Sequence, residues 1–373
     1  SLLAVPFYIL CGVLMNTGGI AQKLIDFAKI LVGRIPGGLA HTNILGNTLF
    51  GSLSGSSVAA SVAIGGVLIP MEEKEGYDKK FAAAVNIASA PTGLIIPPSG
   101  ILIIYPVLAG CSVVGMIMSG YIPGLMWALA CMVVAYVIAK KNHYPTAGKV
   151  SPSVFFKYFV DAIPSLLLIV IIVGGVMSGI FTATESAAVA VAYTLFLSIV
   201  VYRSIKIKDL PKILLDACET TAVIMFLIAG SNVMSFVMSF TGLPSAIGNA
   251  LISVSSNKYV ILLIINLVLL VVGCFMDITP AVLIFTPIFL PVVQSFGMDP
   301  IHFGIMMVMN LGIGNITPPV GSALFSGCSV ADMDMEDMIK PILPFYAAIF
   351  VALMLVAYVP WFSMALPTLF GAV

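Results

Sequence analysis

The chain has 373 residues, 60% of them hydrophobic and 9% charged, with mean hydropathy +1.15, whereas soluble domains are roughly 45–50% apolar and 25% charged. A soluble globular fold is excluded, and at about 20 apolar residues per crossing helix the chain holds on the order of ten membrane segments. Sixteen Lys plus Arg balance sixteen Asp plus Glu, which leaves no electrostatic footprint for nucleic acid.

Apolar runs fall near 2–15, 42–70, 81–110, 121–139, 160–180, 186–202, 217–239, 258–295, 301–328 and 341–365. The chain therefore reads as an all-α polytopic membrane protein. Two runs are too long and too interrupted for single spans. Residues 41–70 are broken by Gly51-Ser52-Leu53-Ser54-Gly55-Ser56-Ser57, and residues 258–295 by Asp277-Ile278-Thr279-Pro280. A re-entrant helical hairpin, entering and leaving on one side, accounts for each.

After each hairpin comes a helix broken by Gly and Pro. In 81–110 the breaks are Ala90-Pro91-Thr92-Gly93 and Ile96-Pro97-Pro98-Ser99; in 301–328 the break is Gly312-Ile313-Gly314-Asn315-Ile316-Thr317-Pro318-Pro319. Proline removes a donor from the helix ladder and frees carbonyl oxygens. Such backbone at membrane depth is tolerated only where it is buried in protein or lines a wet cavity.

The remaining polar residues fit this frame. Lys140, Lys141, Lys149 and Lys157 form one basic loop, and Arg203, Lys206, Lys208 and Lys212 another. Two spans separate them, so both lie on one side, and the positive-inside rule makes it cytoplasmic. The acidic run Asp332, Asp334, Glu336 and Asp337 reads as a solvated loop, and Glu185 as a turn or cap between two spans. Asn47 and Asn86 stand inside apolar runs. The six cysteines are scattered without metal-type spacing, and no Gly-x-x-x-x-Gly-Lys-[Ser/Thr] loop is present. Uphill transport by this chain would draw on an ion gradient.

An internal repeat organises the chain. Pro70, Gly76, Asp78, Gly93, Pro97, Pro98 and Gly100 each have an identical residue 221 positions later, at Pro291, Gly297, Asp299, Gly314, Pro318, Pro319 and Gly321. Five crossings between the hairpins make the repeats inverted. Residues 1–140 form the first repeat and 141–373 the second, which opens with leading spans at 160–202. The first-repeat counterparts of those spans are expected before residue 1, so the first repeat reads as N-terminally truncated. Inverted repeats with discontinuous helices point to a secondary transporter with its site near the bilayer midplane.

Hydroxyl, carboxylate and freed carbonyl oxygens at matched breaks suit a hard cation. One Na⁺ cluster is expected from Ser54, Gly55, Ser56, Ser57, Thr92 and Gly93, and a second from Asp277, Thr279, Gly314, Asn315 and Thr317. Helix N-termini at the same breaks favour an anion. The expected substrate contacts are Ser56, Ser57, Pro97, Pro98, Thr279, Pro318 and Pro319. Arg34 and Arg203, the two arginines, read as interfacial, so a carboxylate would rely on N–H groups, hydroxyls and bound cations. The competing reading of the serines and glycines is interhelical packing.

Phe7-Tyr8-Ile9-Leu10-Cys11-Gly12, Asn16-Thr17-Gly18-Gly19-Ile20, Gly37-Gly38-Leu39-Ala40-His41, Ser54-Gly55-Ser56-Ser57, Ile96-Pro97-Pro98, Phe181-Thr182-Ala183-Thr184-Glu185 and Ile316-Thr317-Pro318-Pro319-Val320-Gly321 together resemble the large membrane subunit of tripartite ATP-independent periplasmic transporters, over essentially the whole chain. The resemblance implies a Na⁺-coupled elevator-type secondary importer of organic acids in the bacterial inner membrane. It also implies two partners, a small membrane (Q-type) subunit and a periplasmic substrate-binding protein. Ala59-Ala60-Ser61 departs from an acidic residue that many members carry after the first tip, and the tip resembles the sialic-acid branch more than the C4-dicarboxylate one. Two other classes compete: an intramembrane hydrolase using Ser54 and His41, and a passive anion channel.

Overall fold

A computed structural model describes residues 3–146, 152–242, 246–247, 250, 255 and 257–372. The described residues are helical with no strand. Among the described residues, seven helices are long and apolar enough to cross a membrane, and the pair Ala4–Thr17 and Ile20–Val32, bent by 72°, counts as an eighth only if its two helices form one span.

Both expected hairpins are present. In the first, Gly38–Ser54 and Ser57–Lys74 meet at Gly55 and Ser56. In the second, Lys258–Phe275 and Ile278–Ser295 meet at Met276 and Asp277. Gly55 turns the first tip with φ +64°, and its N–H bonds the Gly51 carbonyl at 2.8 Å. A side chain is strained in that left-handed region, hence glycine. The broken helices also form: Lys79–Ser89, Thr92–Ile95 and Ile101–Ala109 in the first repeat, Pro300–Asn315 and Ser322–Val330 in the second. Asp78 and Asp299, 221 positions apart, each cap the following helix through a side-chain bond to a backbone N–H, as short polar side chains do at N-caps. The Pro97–Pro98 and Pro318–Pro319 bonds are both cis.

One helix reveals the inversion. Met335–Tyr358 has 24 residues, about 36 Å at 1.5 Å per residue, enough to cross a bilayer core of about 30 Å. Near its start, Asp337 pairs with Lys80, next to the open end of the first hairpin. At its end, Tyr358 donates to the Tyr259 carbonyl at 3.2 Å, at the open end of the second. The hairpins therefore open at opposite ends of one membrane-length helix. Tyr144, just after Lys140 and Lys141, stacks on Tyr77 with ring centroids 4.5 Å apart, so the first hairpin opens on the side of that basic loop. Lys149 lies outside the described residues.

The bounds differ from the apolar runs where polar residues end a run but not a helix. The span expected at 160–180 begins at Pro152, and that at 217–239 covers Leu210–Thr241. Ile20–Val32 was not expected, because Lys23, Asp26 and Lys29 interrupt its apolar stripe. Its apolar face is buried through Leu24, Ile25 and Ala28, as in an amphipathic surface helix. Asp337 lies in the first turn of Met335–Tyr358 rather than in a loop, where the helix dipole favours an acid. Glu185 does cap a helix: with Thr182 it forms a reciprocal capping box at the start of Ala183–Phe196.

Candidate functional site

Both hairpin tips back onto the glycine of a broken helix. A Cβ on Gly93 would lie 2.2 Å from the Gly51 backbone, and one on Gly314 would lie 2.5 Å from the Gly273 backbone. Only glycine pairs allow these approaches, and they hold each break against the last turn before the tip. At the first tip, Thr92 and Thr48 hydroxyls meet at 3.1 Å. Ser54 Oγ and Ser99 Oγ are buried without a hydrogen-bond partner among the described residues.

Ser56 and Asp277 occupy matched positions, each the N-cap of a second hairpin arm, and they behave differently. Ser56 Oγ accepts from the Ala59 N–H at 3.2 Å. Asp277 makes no cap bond; its carboxylate accepts from Ser322 Oγ at 3.1 Å and is otherwise exposed. Asn315 Oδ1 is the alternative acceptor for the single Ser322 hydroxyl proton, and the Val320 and Gly321 N–H groups hold the Cys274 carbonyl at 3.3 and 3.2 Å. Asp277, Ser322 and Asn315 thus form an oxygen-bearing cluster at the second tip, with one carboxylate able to neutralise a cation. Asn315 Nδ2 donates to Ser57 Oγ at 2.7 Å and joins the two clusters.

Between the tips lies a cavity of about 320 Å³, within the range of small-molecule sites. Residues 53–59 of the first tip and 277–279 of the second line it, with Pro98 and Gly100 from the first break. Among the described residues, Asp277 is its one ionisable carboxylate and no Lys, Arg or His lines it. Ser57–Lys74 and Ile278–Ser295 both begin at this cavity, and N-terminal N–H groups at a helix start favour an anion.

Of the expected residues, Ser54, Gly55, Ser56, Ser57, Pro98, Asp277 and Thr279 line the cavity. Thr92 and Gly93 stand behind the first tip, and Gly314 and Asn315 behind the second. Thr317 Oγ1 bonds the Ile313 carbonyl at 2.6 Å within its own helix. Pro97 is buried, Pro318 half-buried and Pro319 exposed, and none of the three lines the cavity. Sequence reasoning missed Ser322, and it missed the wall supplied by Tyr8, Gly12 and Asn16 of the first helix and by Thr220. A Cβ on Gly12 would meet the Ser54 carbonyl at 2.8 Å, which explains the glycine in a long apolar run. Ser54 and His41 lie on one helix 13 residues apart, about 20 Å, so they cannot form a nucleophile–base pair.

Residues 1–362 match the family model "Tripartite ATP-independent periplasmic transporter, DctM component". The chain is 52% identical over 372 residues to "Uncharacterized protein YgiK" of Salmonella typhimurium, covering 100% of this chain and 85% of that protein. It is 40% identical over 371 residues to the C4-dicarboxylate TRAP transporter large permease protein DctM of Pseudomonas aeruginosa (100% and 87% covered). It is also 40% identical over 370 residues to the sialic acid TRAP transporter large permease protein SiaM of Vibrio cholerae (99% and 87% covered). Its fold is similar to the Alcanivorax borkumensis YdaH transporter, with TM-score 0.64 at 14% identity over 98% of this chain and 85% of that one. The chain belongs to the DctM family: it is a large permease of a tripartite ATP-independent periplasmic transporter, a multi-pass transport protein of the bacterial inner membrane and not an enzyme.

Proposed function

We propose that this permease imports an organic acid anion by Na⁺-coupled secondary transport. A periplasmic binding protein delivers the substrate, and a small membrane subunit completes the permease. The observation that carries this reading is the cavity between two hairpin tips, walled by oxygen-bearing clusters and, among the described residues, by no basic side chain. With no cation from the protein, bound Na⁺ supplies the positive charge that a carboxylate needs. Each further carboxylate would face the same shortage, which favours a monocarboxylate such as a sialic acid over a C4-dicarboxylate. The relatives at 40% identity include one named for each class. Because both tips enclose the cavity, access alternates by elevator movement of the hairpin-bearing unit, and a passive channel is disfavoured.

Two Na⁺ with one monocarboxylate carry one net positive charge inward per cycle. Each such charge gains about 2.3 kcal/mol per 100 mV, or about a 50-fold accumulation. Proteoliposomes holding the complete permease, given its binding protein and a K⁺/valinomycin potential, test this. Sialic acid uptake should require Na⁺ and rise with inside-negative potential. Uptake without Na⁺ would overturn the mechanism, and Na⁺-dependent uptake that ignores the potential would overturn the two-cation count.

A further inference from the structure

A run of buried polar side chains leads from the open end of the first hairpin to its tip cluster. Glu72, in the last turns of Ser57–Lys74, is 0% exposed, and neither carboxyl oxygen has a hydrogen-bond partner. It faces Asn43 of the other arm without a bond of normal geometry, and Asn43 Nδ2 is also buried and unpartnered. Asn47 Nδ2, with two protons to give, has three acceptors in reach: Asn43 Oδ1 at 2.9 Å, and Asn86 Oδ1 and Ser89 Oγ at 3.0 Å. Thr92, which pairs with Thr48, donates to the Ser89 carbonyl at 2.6 Å.

The amide orientations follow from one another. Asn86 Nδ2 donates to the Ser61 carbonyl at 2.9 Å, so Asn86 Oδ1 must receive Asn47 Nδ2. The same Asn47 group serves Asn43 Oδ1, which leaves Asn43 Nδ2 as a donor aimed at Glu72. The second repeat keeps one polar pair of this kind, Asn266 with Asn310, and has no acid at the place of Glu72. Positions 221 residues on from Asn43, Asn47, Thr48, Ser61, Glu72, Asn86 and Thr92 are Ile264, Val268, Leu269, Val282, Val293, Met307 and Ile313. All seven are apolar, with Val268 exposed and Ile264 half-buried, whereas Ser89 is matched by buried Asn310, which donates to Asn266 Oδ1 at 2.7 Å.

A buried carboxylate with neither counter-cation nor hydrogen bond is not tolerated, and such a group neutralises instead. Glu75 and Tyr77 act on Glu72 electrostatically. Glu75 opposes its charge, and burial pushes the Tyr77 hydroxyl up to about 12. From the neighbouring helix, Lys80 is turned away to Asp337. On the other arm His41 is two residues from Asn43, about 200° around the helix.

We propose that Glu72 and Asn43 form a proton-binding site, distinct from the two cation clusters, that exchanges its proton with water at the open end of the first hairpin. In this packing the site holds the neutral acid, with its carbonyl oxygen available to Asn43 Nδ2. When the open end loosens, Glu72 releases the proton to entering water and becomes a carboxylate. Its charge then acts through Asn43 and Asn47 on the segment from Asn86 to Thr92 behind the first tip. The effect on Na⁺ rests on the transport reading above; the proton site does not.

Infrared difference spectroscopy of the purified permease across a pH step tests the site directly. A protonated-carboxyl C=O band that titrates should be present in the wild type and in Asp277→Asn, and lost in Glu72→Gln. Asn43→Leu should keep the band and shift its frequency, which covers a Glu72→Gln protein that fails to fold. A band that survives Glu72→Gln, ignores Asn43→Leu or is absent from the wild type overturns the proposal. In proteoliposomes, raising pH on the side of the open end should lower the Na⁺ needed for half-maximal uptake several-fold, with no change in Glu72→Gln. A pH effect that persists in Glu72→Gln overturns the coupling. A wild type that takes up no substrate refutes the transport reading, and the infrared bands still decide the proton site.

Discussion

Asn315, behind the second hairpin tip, donates its side-chain amide to Ser57 Oγ at the first tip, at 2.7 Å and across 258 residues. Its Oδ1 is meanwhile the alternative acceptor for Ser322, whose hydroxyl also reaches Asp277. A side chain shared in this way ties the two cation clusters, since a change at either tip moves a hydrogen bond of the other. Asn315→Ala leaves the buried Ser57 hydroxyl short of a partner, at a cost of about 1–3 kcal/mol where no water replaces it, while Ser322 keeps Asp277 as its acceptor. We expect a lower thermal midpoint and a flatter, less cooperative Na⁺ dependence of uptake. Unchanged cooperativity in a folded variant would show that the clusters act independently.

Asp277 serves the cation more than the fold. It makes no cap bond, and its one partner is Ser322, so Asp277→Asn removes charge while keeping size and one carbonyl oxygen. Expression and thermal midpoint should stay near wild type. The Na⁺ concentration for half-maximal uptake should rise by roughly tenfold for each 1.4 kcal/mol of lost attraction.

The glycine pairs separate tolerated from untolerated substitutions. Gly93→Ala and Gly314→Ala drive a methyl into hairpin backbone at 2.2 and 2.5 Å, whereas a Cβ on Gly100, in the first break, meets nothing within 4 Å. The first two should lose about 1–3 kcal/mol or more through overpacking and Gly100→Ala much less. Thermal melts in detergent compare them, and equal stability of all three would contradict the close approaches.

Hairpin orientation is measurable from outside the cell. Lys74 and Ser295 are exposed at the ends of the second arms of their hairpins, which open at opposite ends of Met335–Tyr358. With exposed Cys218 replaced, Lys74→Cys should be shielded from a membrane-impermeant thiol reagent and Ser295→Cys should react. Equal labelling of both from one side would refute the inversion.

Much of the architecture was legible in the sequence because helix breaking is local. Pro, Gly and short polar side chains mark a tip or a break wherever they stand, and the 221-residue repeat of Pro97, Pro98, Gly93 and Gly100 pairs the breaks without any knowledge of packing. Glu185 was equally legible, since its partner Thr182 is three residues away. The helix Ile20–Val32 was not, because its three charges dilute an apolar face that only its burial against neighbours reveals.

The sequence by itself determined an all-helical membrane chain with two hairpins, two broken helices and an inverted repeat, since each depends on composition or on residues within one segment. Only the tertiary structure decided which oxygens meet. Ser322 joins Asp277 from 45 residues away, Asn315 reaches Ser57 from 258, and Tyr8, Gly12 and Thr220 complete the cavity from other helices. Such meetings depend on how helices pack, and spacing along the chain carries no record of that. Glu72 shows the same division: in sequence it is one acid among several in a charged turn, and only packing buries it against Asn43, so that an ordinary surface residue becomes the inner end of a polar ladder.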